Sequence, residues 1–260
     1  SGNDSPMLTG TGVTLLNSSP ARQKFELIAT TLGSTQTWDG GAQGLILSSI
    51  DLGPANTLTI TGTGTTASTR NEIAGTITGN IGSISGVTKA GPGTLLLNNA
   101  GFESNYAGAT TLESGRLQLG RAHQIPDGSK LVLNGGTFDT GGFSETVGAL
   151  SLGGDVTIDF GLSDLASLIF ADSRFETWGD GTLNIVNFNP ASDSLRFGVN
   201  FNSLSALQLA QISFDGMEAG ISNGGFLYPV PEAGVSATLL SALGMLGFRR
   251  RRGSNRGLTA

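Results

Sequence analysis

Cysteine is absent from the 260-residue chain, histidine occurs once, and charged side chains make up only 13% of it. The missing thiols exclude a disulfide-stapled scaffold and every cysteine-based metal site. The opening SGNDSPMLTG has neither a basic start nor a continuous apolar run, so it does not read as a secretory leader. Without an initial methionine the chain reads as a fragment or an already processed form. Glycine is abundant, at 41 residues, yet it never settles into every third position, which excludes collagen. Each glycine inside a helix costs about 1 kcal/mol relative to alanine, so a long helical bundle is excluded too. Hydrophobic residues at 38% with a net charge of −6 argue against full disorder.

What is present fits one domain or one elongated array, with an odd tail. Twenty acidic residues face fourteen basic ones, and five of those fourteen are Arg249, Arg250, Arg251, Arg252 and Arg256. The body is therefore acidic and repels phosphate backbones, so no nucleic-acid partner is expected.

Short runs of period-two alternation recur between Gly, Asn and Asp: NTLTITG (56–62), GTLLLNN (93–99), GRLQLGR (115–121), SKLVLNGG (129–136), GALSLGG (148–154), DVTIDFG (155–161) and GTLNIVNF (181–188). Each reads as a strand with one apolar face. The inward pairs are Leu58/Ile60, Leu95/Leu97, Leu117/Leu119, Leu131/Leu133, Leu150/Leu152, Val156/Ile158 and Leu183/Ile185. One such strand cannot bury its face alone, so equivalent strands must stack, several of them about 20 residues apart in sequence. A right-handed parallel β-helix, or solenoid, over residues 1–228 meets these demands, with Gly and Asn at the corners and Thr and Ser outside. An antiparallel sandwich is the competitor, but hairpin signals are few. SLSALQLAQISF (203–214) breaks the pattern and predicts a short helix capped by Ser203.

These residues suggest a family. GVTKAGPGTLLLNNAGFESNYAGATTLESGRLQLG (86–120) closely resembles the autotransporter-associated β-strand repeat, with Lys89, Gly91, Gly93, Thr94, Leu95, Tyr106, Gly108, Thr110, Gly115 and Leu117 at its characteristic places. Residues 38–62 and 131–161 resemble the segments that flank it. The resemblance implies an exported β-helical stalk and names no chemistry. No strands after residue 161 read as a membrane barrel of eight or more, so another route of export is expected.

The tail carries the sharpest expectation. Val230-Pro231-Glu232 precedes sixteen uncharged residues (233–248) and then Arg249–Arg252. Sixteen helical residues span about 24 Å, slightly short of a bilayer core of about 30 Å, and arginine stems can close the gap. A single C-terminal transmembrane helix is therefore expected, held with its arginines on the cytoplasmic side. The stretch 229–252 resembles the PEP-CTERM sorting signal of Gram-negative bacteria, with residues 253–260 as a short tail. The resemblance implies a transient inner-membrane anchor and an exosortase, an intramembrane Cys protease, that removes the tail near the motif. Ala233 stands where that signal usually has a second proline.

Candidate chemistry is sparse. His123 sits in a turn-rich linker. Asp155 and Asp159 share strand parity and, with Asp164, could face a cation, but no calcium-loop spacing is present. Glu176 and Asp180 flank Trp178 in SRFETWGDGTL and could suggest sugar binding; an ordinary turn is the plainer reading. Lys24, Lys89 and Lys130 do not cluster as a positioned base would, GTGTT (62–66) is a turn, and no phosphate loop occurs. The expected protein is a non-enzymatic surface or extracellular-matrix protein with no cofactor, structural or adhesive, contacting polysaccharide. The alternative is a carbohydrate-active β-helix enzyme, a polysaccharide lyase or hydrolase. It would gather Asp159, Asp164, Glu176 or Asp180 with Arg174 or Arg196 in one concave cleft.

Overall fold

The computed structural model describes residues 7–8, 14–25, 30–80, 82, 84–101, 103–162 and 165–231. Short strands stack in parallel into a solenoid whose coils turn through three faces. The longest face is an 11-stranded sheet. Its parallel part includes Leu45–Leu47, Asn71–Ile73, Thr94–Leu97, Arg116–Leu119, Gly136–Asp139, Val156–Asp159, Leu183–Val186 and Ile212–Phe214. A 7-stranded second face includes Thr57–Thr61, Gly86–Lys89, Thr110–Leu112, Leu131–Leu133 and Leu150–Leu152. The third face is split into a 4-stranded and a 3-stranded patch, the latter Glu145–Val147, Ser167–Phe170 and Ser194–Phe197.

All seven expected inward pairs are buried. Register explains how: Leu95 lies beside Leu117, Leu117 beside Phe138, Phe138 beside Ile158 and Ile158 beside Ile185. Like therefore stacks on like at about 4.8 Å, and the apolar column runs unbroken through the coils. On the third face Phe170 and Phe197 form a stacked pair of their own, centroids 4.7 Å apart. The coil is not constant in length. Equivalent positions are 20 residues apart between Thr140 and Phe160 and 29 apart between Asn184 and Ser213.

Between the two patches of the third face the backbone ladder stops, and buried side chains take over its hydrogen bonds. Asn99 Nδ2 donates to Thr76 Oγ1 at 3.1 Å, and the Asn99 N–H donates to Gln124 Oε1 at 2.6 Å. The Gln124 N–H then donates to Glu145 Oε2 at 2.7 Å. Glu145 is 1% exposed, and burial pushes its carboxyl up to about 8. The folded pKa lies above the unfolded one, so this group's contribution to stability is complete below about pH 4.5 and is lost as pH rises through about 8. Glu145→Gln keeps the acceptor and removes the charge. It is expected to raise the urea midpoint at pH 8 relative to the parent, with the difference vanishing near pH 4.5; a pH-independent difference would refute this account.

Two expectations need correction. The helix spans only Ala206–Ala210, and its cap is Ser205, which forms a capping box with Gln208. The reason is a switch of period: Ser203 is buried in the preceding turn, Leu207 is exposed, and Ile212 already belongs to a strand. The sheet also does not stay parallel. After Ile212–Phe214 the chain reverses at Asp215-Gly216, both with positive φ, into antiparallel strands Met217–Ile221 and Leu227–Val230. Among the described residues no helix is long and apolar enough to cross a membrane. The expected span 233–248, Glu232 and Arg249–Arg252 lie outside the described residues.

Candidate functional site

The residues of the 86–120 repeat converge on two buried corners. In the first, Lys89 ends a strand of the second face and is 1% exposed. Its Nζ donates to Ala90 O and Gly91 O at 2.6 Å and to Ser114 O, on the next coil, at 3.1 Å. A lone ammonium thus fills three carbonyls at a turn that no ladder bond serves, and it stitches adjacent coils. Burial pulls its pKa down to about 8. Gly115 packs over this turn with φ +75, and a Cβ there would collide with the carbonyl oxygens of Gly91 and Gly93.

In the second corner the Tyr106 hydroxyl meets Thr110 Oγ1 at 2.6 Å. Thr110 Oγ1 lies 3.0 Å from Ser129 Oγ, which donates to Gly108 O at 2.8 Å. The tyrosine is fully enclosed, and burial holds its phenol well above the usual range. The tyrosine–glycine–threonine spacing therefore encodes a buried hydroxyl relay between coils, with Gly108 leaving room for the carbonyls of Ile84 and Ser85.

The outer side of the long face carries an open groove of about 980 Å³ lined by Arg70, Thr94, Arg116, Gln118, Asp139, Asp159 and Asn187, among others. Arg116 is its centre. Its guanidinium reaches Asp139 on the next coil at 2.6 Å and Asp159 one coil further at 3.1 Å. Gln118 Nε2 donates to Asp139 at 2.7 Å, and Asn187 Nδ2 donates to Asp159 at 2.7 Å. The side-chain contacts span four coils. They are mutually satisfied, which fits a clamp on the stack better than a pair poised for acid–base work.

The other candidates separate. Asp155 is exposed and holds the backbone and hydroxyl of Thr182, which lower its pKa. It sits four residues from Asp159, about 13 Å along an extended strand. Asp164 lies outside the described residues, and these hold no group of three or more metal-ligating side chains. His123 is exposed in its loop with φ 55. Arg174, Glu176, Trp178 and Asp180 do line one groove, of about 550 Å³, beside the short helix. Within it Glu176 is paired with Lys130, and Trp178 Nε1 donates to Leu150 O at 3.0 Å. Arg196 lies apart, over the ring of Phe226.

Val230 ends the outermost strand, and Pro231 follows it, exposed. Pairing of Glu218 with Val230 and Gly220 with Tyr228, together with the Ser222 N–H to Phe226 O bond of 2.8 Å, fixes which backbone groups face inward. Leu227, Pro229 and then Pro231 fall on the outward positions of that alternation. Two of these three offer no N–H.

Fold and corners together define a class, the all-β solenoid built of repeat coils. Residues 87–119 match the passenger-associated-transport-repeat family, an autotransporter-associated repeat. The matched stretch takes in both corners through Lys89, Gly91, Tyr106, Thr110 and Gly115. No curated protein and no solved structure matches the chain. Sequence reasoning had not singled out Arg116 and Asp139; the available signal was that Arg116, Asp139 and Asp159 all sit on outward positions of consecutive coils.

Proposed function

We propose that the protein is an exported, non-enzymatic passenger of a Gram-negative cell surface or extracellular matrix. In this reading a right-handed solenoid, the hand that strand–crossover–strand connections take, presents Thr-, Ser- and Asn-rich faces for matrix packing or adhesion, with exopolysaccharide as the contact. One observation carries the structural part: the residues that match the passenger repeat are used to bind coil to coil, Lys89 on three carbonyls and Tyr106 on the hydroxyl relay. The finer part of the proposal is the address. Residues 233–248 hold the protein briefly in the inner membrane, Arg249–Arg252 stay on the cytoplasmic side, and an exosortase-type protease cuts near Val230-Pro231-Glu232. Support for this is the order of the sequence together with the exposed setting of Val230 and Pro231 at the end of the outermost described strand.

The test is the intact mass of protein recovered from the cell surface. A chain ending near residue 232 is expected; surface material that keeps Arg249–Arg252 would overturn the sorting step. A second reading, a polysaccharide lyase or hydrolase, is favoured by the grouping of Arg174, Glu176, Trp178 and Asp180 around one groove. Release of new reducing or unsaturated ends from acidic polysaccharide, abolished by Asp180→Asn, would establish it in place of the first.

A further inference from the structure

Exposed apolar side chains are unevenly spread over the described residues. Ahead of residue 140 only Ile84 is a large exposed hydrophobe; Phe143, Leu162 and Leu165 stand singly in the middle coils, and Phe175, Val199, Phe201, Leu207 and Phe226 crowd the last ones. Four of these share one corner. The turn around Ser173 bonds to the turn below it through Ser173 N–H to Ser203 O at 3.1 Å, and the Phe197 N–H to Gly225 O bond of 2.9 Å ties on the third turn. Phe175, Val199, Phe201 and Phe226 are 91%, 72%, 52% and 46% exposed along that line. Two guanidinium groups lean over the rings at its ends, Arg174 at 5.9 Å from the centroid of Phe175 and Arg196 at 5.8 Å from that of Phe226.

A row of exposed rings flanked by arginines is costly to leave in water. It suits the boundary of a bilayer, where rings sit among the acyl ends and guanidinium groups reach the phosphates. The row's position supplies the occupant. Phe226 leads into the strand Leu227–Val230, and from Val230 the chain passes through Pro231 toward the uncharged segment 233–248. We propose that this corner lies against a lipid surface, so that the solenoid rests on the membrane by its C-terminal coils while it is tethered. The proposal rests on the reading of 233–248 as a tether.

The test uses the full chain, which has no cysteine to confuse labelling. An environment-sensitive fluorophore is placed by Phe175→Cys at the corner and by Ser68→Cys at an exposed turn in the earlier coils. After reconstitution with phosphatidylcholine vesicles, the protein is expected to float with the lipid. The corner label should shift to the blue, and the label at 68 should not. Combined Val199→Ser, Phe201→Ser and Phe226→Ser changes should abolish that shift without abolishing flotation. Flotation with an unshifted corner label would overturn the proposal and leave the tether standing. Failure to float would overturn the tether and the proposal with it. A blue shift already present without vesicles would also overturn it: dependence on protein concentration would assign the corner to a second copy, and independence would assign it to the chain's own segment 233–248.

Discussion

Gly115→Ala is expected to cost the fold more than any other small change in the repeat. The residue has φ +75, where a Cβ is strained by about 1 kcal/mol, and the new methyl would meet two carbonyl oxygens of the preceding coil rather than a flexible side chain. Backbone must move, and overpacking of this kind adds about 1–3 kcal/mol. A solenoid holds each coil only through its neighbours, so the loss should also divide the molecule. The urea transition is expected to fall and to split into two steps, one for each side of the broken junction. Gly128→Ala is the matched control, because a Cβ there meets nothing within 4 Å. Equal transitions for the two variants would show that the junction at Gly115 is not close-packed.

Lys89→Met is expected to follow closely. Methionine fills the space but leaves the carbonyls of Ala90, Gly91 and Ser114 without the donor they share. Unsatisfied buried acceptors cost about 1–3 kcal/mol each, partly offset here because the buried charge goes too. A net loss of about 3 kcal/mol would show as a lower thermal midpoint. The pH dependence gives a second signature. The folded pKa of about 8 lies below the unfolded 10.5, so the unfolded chain binds more protons between those values. The lysine's contribution to stability therefore rises with pH across that window and is flat outside it, and in the methionine variant the rise should be missing. A variant as stable as the parent at pH 7 would mean that water can serve this turn.

The apolar ladder was open to inspection in the sequence because it is local: Leu95 and Leu97, or Val156 and Ile158, declare their common face by parity alone. The repeat's glycine, lysine and tyrosine were equally visible, though not what they do, since Lys89 finds Ser114 only after a full coil has closed. The long-face clamp was hidden for the same reason. Arg116 and Asp159 are 43 residues apart, and coils that vary from 19 to 29 residues, as between Leu131 and Leu150 and between Asn184 and Ser213, blur the register that joins them. Asp155 and Asp159 looked like partners along one strand, yet lateral neighbours claim each of them first. The terminal hairpin carries a local signal, Asp215-Gly216 between two apolar runs, which sequence reasoning did not single out. The expected helix is longer than the observed one because Ile212 fits a helical period and a strand period equally well.

Pro229, in the outermost described strand, and Pro231, just after it, limit what can pair with that edge. An edge of free amides invites another chain to continue the ladder, and Pro229 and Pro231 withdraw those amides where the ladder would grow. In the surface layer proposed above, that edge would not template pairing with a second copy. Contacts between copies in such a layer would then run flank to flank, through hydroxyl-rich sides. Such a layer would thicken by lateral crowding and not by chaining tip to tip.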